Sequence, residues 1–173
     1  EMCIRDRSIT ALELESFFIG GHPMAGSEKT GYQAATAYLL ENAYYILTPT
    51  AKTDTAVLHA FRDYIASLGS VPMIMDAKTH DHATASISHL PHIIASTLVN
   101  FVHDTDTEDG LMKALAAGGF KDITRIASSS PVMWQQICLK NGENISHILG
   151  HYIEALTQAK EQIDAENETA LYS

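Results

Sequence analysis

The chain has 173 residues, 46% of them hydrophobic, and 21 acidic against 11 basic side chains give a net charge of −10. That apolar content is enough for a real core and excludes a disordered chain, while the thin spread of Lys and Arg leaves no basic stripe for a phosphate backbone, so nucleic acid is not an expected partner. Cys3 and Cys138 are far apart without a C-x-x-C spacing, which argues against a disulfide framework and a thiolate metal site and fits a reducing cytoplasm, and no apolar run is long enough to span a bilayer.

In chain order, residues 1–8 match nothing expected ahead of a strand and are expected to be non-native. Residues 11–50 read as the tail of an α/β domain. A short helix or turn leads into the apolar run Phe17-Phe18-Ile19, which ends in Gly20-Gly21. Pro23 pushes His22 toward extended geometry, setting an imidazole in an active-site turn at a strand's carboxyl end, the end that faces the ligand crevice in open α/β sheets. A polar, glycine-containing loop follows, then a strand around Tyr44 to Leu47 that Thr48-Pro49-Thr50 closes. From Asp54, the residues Val57, Leu58, Phe61, Ile65 and Leu68 fall at helical spacing up to Gly69, and Val71 to Met75 reads as a further short strand.

From Lys78 onward nearly everything reads as helix, with breaks at Thr105 to Asp109, Gly118-Gly119, Ser128 to Pro131 and near Asn141-Gly142. In the last helix Ile145, Leu149, Tyr152, Leu156, Ala159 and Ile163 alternate steps of four and three, a seam that a partner helix can cover.

Several residues invite a chemical role. A neutral imidazole at His22 can take a proton from a substrate hydroxyl near neutral pH, although a loop histidine with no task is the plainer reading. His80, Asp81, His82, His89 and His92 invite a metal reading, but helical geometry splits them between two lines and neither H-E-x-x-H nor a cysteine pair is present, so no metal is expected. Pro91 should kink or start a helix and direct His92 inward. Gly118-Gly119 ahead of a helix can offer amides to an anion or be a plain turn. Asp122 and Arg125, three apart, can be a surface ion pair, or Arg125 can grip a carboxylate. Trp134, the only tryptophan, reads as a core residue.

His22 to Gly31, Tyr44 to Thr50, Ser88-His89-Leu90-Pro91-His92, Gly118 to Arg125 and Pro131-Val132-Met133-Trp134 together resemble the prephenate/arogenate dehydrogenases of tyrosine biosynthesis, over roughly residues 16 to 165. The resemblance implies a mainly α fold: residues 1–76 as the C-terminal remnant of a Rossmann-like nucleotide-binding α/β domain, and residues 77–173 as an all-helical dimerisation domain. It implies oxidative decarboxylation of prephenate or arogenate with NAD or NADP as cofactor, in a homodimer. By resemblance His22 is the catalytic base, and His92, Gly118, Arg125 and Trp134 bind substrate, Trp134 near the neighbouring subunit. The resemblance also implies that Glu28, Asp122 and Arg125 form an ionic network at the mouth of the site; Ser27, in the same loop as Glu28, can meet the cofactor or the substrate. The family binds its dinucleotide through a G-x-G-x-x-G turn, which this sequence does not contain; the chain is therefore expected to be a fragment lacking the N-terminal dinucleotide-binding half. The alternative is a helical dimerisation or ligand-binding module without activity of its own.

Overall fold

The computed structural model describes residues 2–26 and 31–172. Three strands, β1 (Ile19–Pro23), β2 (Tyr44–Pro49) and β3 (Val71–Ile74), form one sheet in that order. β1 runs antiparallel to β2 with His22 opposite Ile46, whereas β2 and β3 are parallel with Tyr44 opposite Val71. The Met24 amide continues the ladder by donating to the Tyr44 carbonyl at 2.8 Å, so His22 lies within β1 and not in a turn beyond it. Gly20 permits this pairing: a Cβ there would sit 2.1 Å from the Thr48 hydroxyl on the facing strand. Leu47 and Thr48 are fully buried beneath it.

A parallel pair needs a crossover, and helix α2 (Thr55–Ser67) supplies it. Asp54 starts α2 by accepting hydrogen bonds from the Ala56 and Val57 amides. Gly69 ends it with φ +83°, a left-handed residue that a side chain would strain.

Helix α1 (Met2–Ala11) precedes the sheet, packs on β1 and buries Met2. It occupies a segment for which the sequence suggested no element. After β3 the chain is helical. α3 (Ala77–Thr84) runs through a π turn (Ala85–His89) into α4 (Leu90–Thr105). Pro91 has no N–H for the regular ladder, and the widened turn ahead of it absorbs that loss. There follow α5 (Leu111–Leu115), α6 (Gly118–Thr124), a 3-10 turn (Arg125–Ser128), α7 (Pro131–Lys140), α8 (Gly142–Asp164) and α9 (Glu168–Leu171). The breaks after Thr105, before Pro131 and at Asn141 fall where the sequence places them, whereas Gly118 and Gly119 are the first residues of α6, so that break lies just ahead of them, and the break between α8 and α9 had no expectation.

The α8 seam is divided. Ile145 is buried against the π turn and α4, whereas Leu156 and Ile163 are 52% and 60% exposed. The fold is thus mostly helical with a small three-stranded sheet. Among the described residues no helix is long and apolar enough to cross a membrane.

Candidate active site

A cavity of about 710 Å³ opens where β1 meets the helical part of the chain. Gly21, His22 and Pro23 form one wall; the π turn contributes Ser88 and His89; Arg125, Met133 and Trp134 face them. His22 is presented because strand pairing to Ile46 fixes its backbone.

Its ring is held from behind. His22 Nδ1 lies 2.7 Å from Nε2 of His80, and His80 Nδ1 lies 2.8 Å from the Asp81 carboxylate. Asp76 fixes the start of α3 by accepting from the Thr79 amide, which places His80 and Asp81 on the next turn beneath β1. Both are 2% exposed. Asp81 also accepts from the Met2 and Cys3 amides, each at 2.9 Å. Burial alone would raise the Asp81 pKa, but the hydrogen bonds from His80 and the two amides outweigh it and hold the carboxyl well below the usual carboxylate range. Burial, with Asp81 beside it, pushes the Cys3 thiol up to about 11. His22 is held below an ordinary histidine by burial first, then by His80 and Arg5. Its ring is therefore neutral at physiological pH.

Asn141, at the joint between α7 and α8, donates to the Asp81 carbonyl at 2.7 Å and sits 3.3 Å from His89 Nδ1. Burial lowers the His89 pKa to about 4, so this ring is neutral too. The indole of Trp134 stacks on His92 with ring centroids 3.5 Å apart. His92 Nδ1 donates to the Ile126 carbonyl at 3.1 Å in the tautomer that this acceptor requires.

Of the residues singled out in the sequence, the structure brings His22, His80, His89, Arg125 and Trp134 onto one cavity. His92 is buried behind Trp134 and is not on the cavity wall. Gly118 is exposed at the start of α6, where an added Cβ would meet nothing within 4 Å, and Asp122 is exposed farther along the same helix. Neither lines the cavity. Ser27 and Glu28 lie outside the described residues. The histidine cluster is divided: His80 pairs with Asp81, His89 with Asn141, His92 with Ile126 and Trp134, and His82 is exposed.

Sequence reasoning weighed His80 and Asp81 only as metal ligands and passed over Asn141. An adjacent His-Asp pair one turn into a capped helix was the available signal for the first two. For Asn141, nothing in a polar helix break announces burial.

Residues 76–173 match the family model described as prephenate dehydrogenase, dimerization domain, and residues 6–74 match that described as prephenate dehydrogenase, nucleotide-binding domain. The chain is 45% identical over 153 residues to prephenate dehydrogenase of Bacillus subtilis (strain 168), covering 87% of this chain and 41% of that protein. The structure of prephenate dehydrogenase from A. aeolicus in complex with hydroxyphenyl propionate and NAD+ superposes with a TM-score of 0.86 at 38% identity, over 92% of this chain and 56% of that one. Synechocystis arogenate dehydrogenase gives a TM-score of 0.83 at 32% identity, over 94% and 59% of the two chains. The chain thus spans roughly half the length of the relatives it matches. With two contiguous family matches along its length and a fold shared with solved members, this chain belongs to the prephenate dehydrogenase family.

Proposed function

We propose that this chain carries the base and the substrate pocket of an NAD- or NADP-dependent dehydrogenase that oxidatively decarboxylates prephenate or arogenate, giving 4-hydroxyphenylpyruvate or tyrosine in tyrosine biosynthesis. The observation that carries this reading is that His22 from the sheet and Arg125 from the helical part share one cavity. The first is a neutral imidazole, the second a permanent cation suited to bidentate grip on a carboxylate. Trp134 gives the same cavity a flat wall for a ring.

In this reading Arg125 holds a substrate carboxylate, and the ring lies against Trp134 with its carbinol oxygen toward His22. His22 Nε2 takes the hydroxyl proton while the carbinol C–H bond breaks; the ring carboxylate leaves as carbon dioxide, and its bonding pair completes the aromatic ring. When bound, the nicotinamide supplies the hydride acceptor. The residues present fit that end of the cofactor: the cavity lies within the size range of small-molecule sites, and at Gly26 on its wall an added Cβ would meet nothing within 4 Å. This chain contains no G-x-G-x-x-G turn for the pyrophosphate. The complex of the A. aeolicus relative with a ring-bearing acid and NAD+ supports this pairing.

Residues 1–76 are read as the C-terminal part of a Rossmann-like nucleotide-binding domain and residues 77–173 as the substrate and dimerisation domain of a homodimer. The free thiols of Cys3 and Cys138 fit a cytoplasmic enzyme. A dehydrogenase carrying this chain with a complete nucleotide-binding domain should reduce NAD or NADP on addition of prephenate or arogenate, with release of carbon dioxide. No turnover with either substrate and either cofactor would leave the chain a binding module.

A further inference from the structure

We propose that His80 and Asp81 are positioning residues that fix the tautomer of His22, through two hydrogen bonds in series, so that its Nε2 lone pair is the one presented to the cavity. The inference rests on the reading of His22 as the base. Asp81 does not line the cavity, and His80, although it touches the wall, is 2% exposed and has both ring nitrogens engaged, Nδ1 by Asp81 and Nε2 by His22.

Donor parity sets the tautomers. The Asp81 carboxylate accepts from the Met2 amide through one oxygen and from the Cys3 amide through the other. Each of those N–H groups needs an acceptor, and an ionised carboxylate is acceptor-only. At 2.8 Å from Asp81 Oδ1, His80 Nδ1 must therefore carry the proton. In a neutral imidazole the other nitrogen is then bare, so His80 Nε2 is an acceptor. His22 Nδ1, 2.7 Å away, must in turn donate to it, and His22 Nε2 is left without a proton. Each bond sets the next, and the last nitrogen is the one a base needs.

The chemistry gains on two counts. A histidine free to choose its tautomer spends part of its time with Nε2 protonated, where it cannot accept the hydroxyl proton. Once His22 has taken that proton it is an imidazolium, and its Nδ1–H already points at a bare nitrogen with a carboxylate behind it, so the new charge is stabilised without rearrangement. No second proton has to move. The burial of both partners strengthens these contacts by excluding water. Asn141 adds rigidity, because its donation to the Asp81 carbonyl ties the second turn of α3 to the α7–α8 joint.

The plain alternative is that His80 is a core histidine satisfied by Asp81, or a cation paired with it. A cationic His80 would donate from Nε2 and force the opposite tautomer on His22. Long-range ¹H–¹⁵N spectra of the full chain labelled on histidine, recorded near neutral pH, separate these cases. The expected result is a protonated Nδ1 and a bare Nε2 on both His22 and His80. A His22 ring protonated on Nε2 in the unaltered chain overturns the proposal, and this reading needs no variant to fold. In His80→Leu the constraint is gone, and the His22 signals should shift toward the Nε2-protonated form; unchanged signals would also overturn it. In the complete dehydrogenase, His80→Leu should lower kcat about 10²-fold with KM little changed. His80→Gln, whose amide oxygen can accept the same Nδ1–H, should recover part of that loss. The spectra are independent of turnover, so a dehydrogenase inactive on prephenate and arogenate with the expected tautomers would sink the proposed function and leave the relay standing.

Discussion

The imidazole of His92 and the indole of Trp134 lie face to face, their ring centroids 3.5 Å apart and their planes inclined by 2°. Ile126 and Ser96 engage the two His92 nitrogens at 3.1 and 3.3 Å, so the histidine acts on the cavity through the indole. Trp134→Ala should destabilise the chain by about 3 kcal/mol and raise KM, whereas His92→Phe, which keeps a flat ring for stacking, should leave KM little changed. Thermal unfolding and steady-state kinetics check both. A wild-type KM in Trp134→Ala would remove the indole from the substrate wall.

Arg125 reaches the cavity from the 3-10 turn after α6. If it grips a carboxylate, Arg125→Ala should lower kcat/KM by about 1.5–3 kcal/mol, mostly through KM. Arg125→Lys should restore only part, because an ammonium lacks the planar fork. Kinetics unaffected by Arg125→Ala would assign the residue to the surface.

The pH dependence of the reaction has a definite sign. Burial, and then the proximity of His80 and Arg5, hold His22 below its ordinary pKa of 6.5. With His22 as the base the neutral ring is the active form, so a lowered pKa would keep it competent to lower pH, and activity should fall only as pH drops through the lowered value. The acid limb of kcat/KM should therefore have its midpoint below 6.5. A midpoint above it would mean that the cavity stabilises the imidazolium in the free enzyme.

Much of the fold was legible because its signals are local. Asp54 and Gly69 bracket α2 by side-chain capping and a left-handed turn, both readable from residue type. Pro131 marks the start of α7 because a first helical residue needs no N–H for the ladder, with Ser130 as its cap. The candidate site was legible only where a residue's role is set by its neighbours in sequence, as for His22 beside Pro23. His80 is 58 residues from the ring it contacts, and Asp81 is 60 from Asn141, so no spacing rule could join them. His92 points inward as the proline after His89 suggested, but whether it meets the cavity depends on how α7 docks, and Trp134 arrives there first. The antiparallel β1 had no hairpin turn to announce it, since Met24 to Ala43 separate the two strands.

The outer part of the α8 seam bears on assembly. Leu156 and Ile163 are more than half exposed, so charging them should cost the single chain little stability, whereas an interface built on them would lose its apolar contact. The full chain should sediment as a dimer, and Leu156→Lys combined with Ile163→Lys should shift it to monomer with its helical content retained. A monomer before substitution would detach dimerisation from this face.

The central claim is that His22 accepts the substrate's hydroxyl proton from its place on β1. The most direct test is His22→Asn in the complete dehydrogenase, assayed by nicotinamide reduction with prephenate or arogenate. A fall in kcat of about 10²- to 10⁴-fold with KM nearly unchanged is expected. A kcat within a few-fold of the unaltered enzyme would contradict the claim and place the base elsewhere in the cavity.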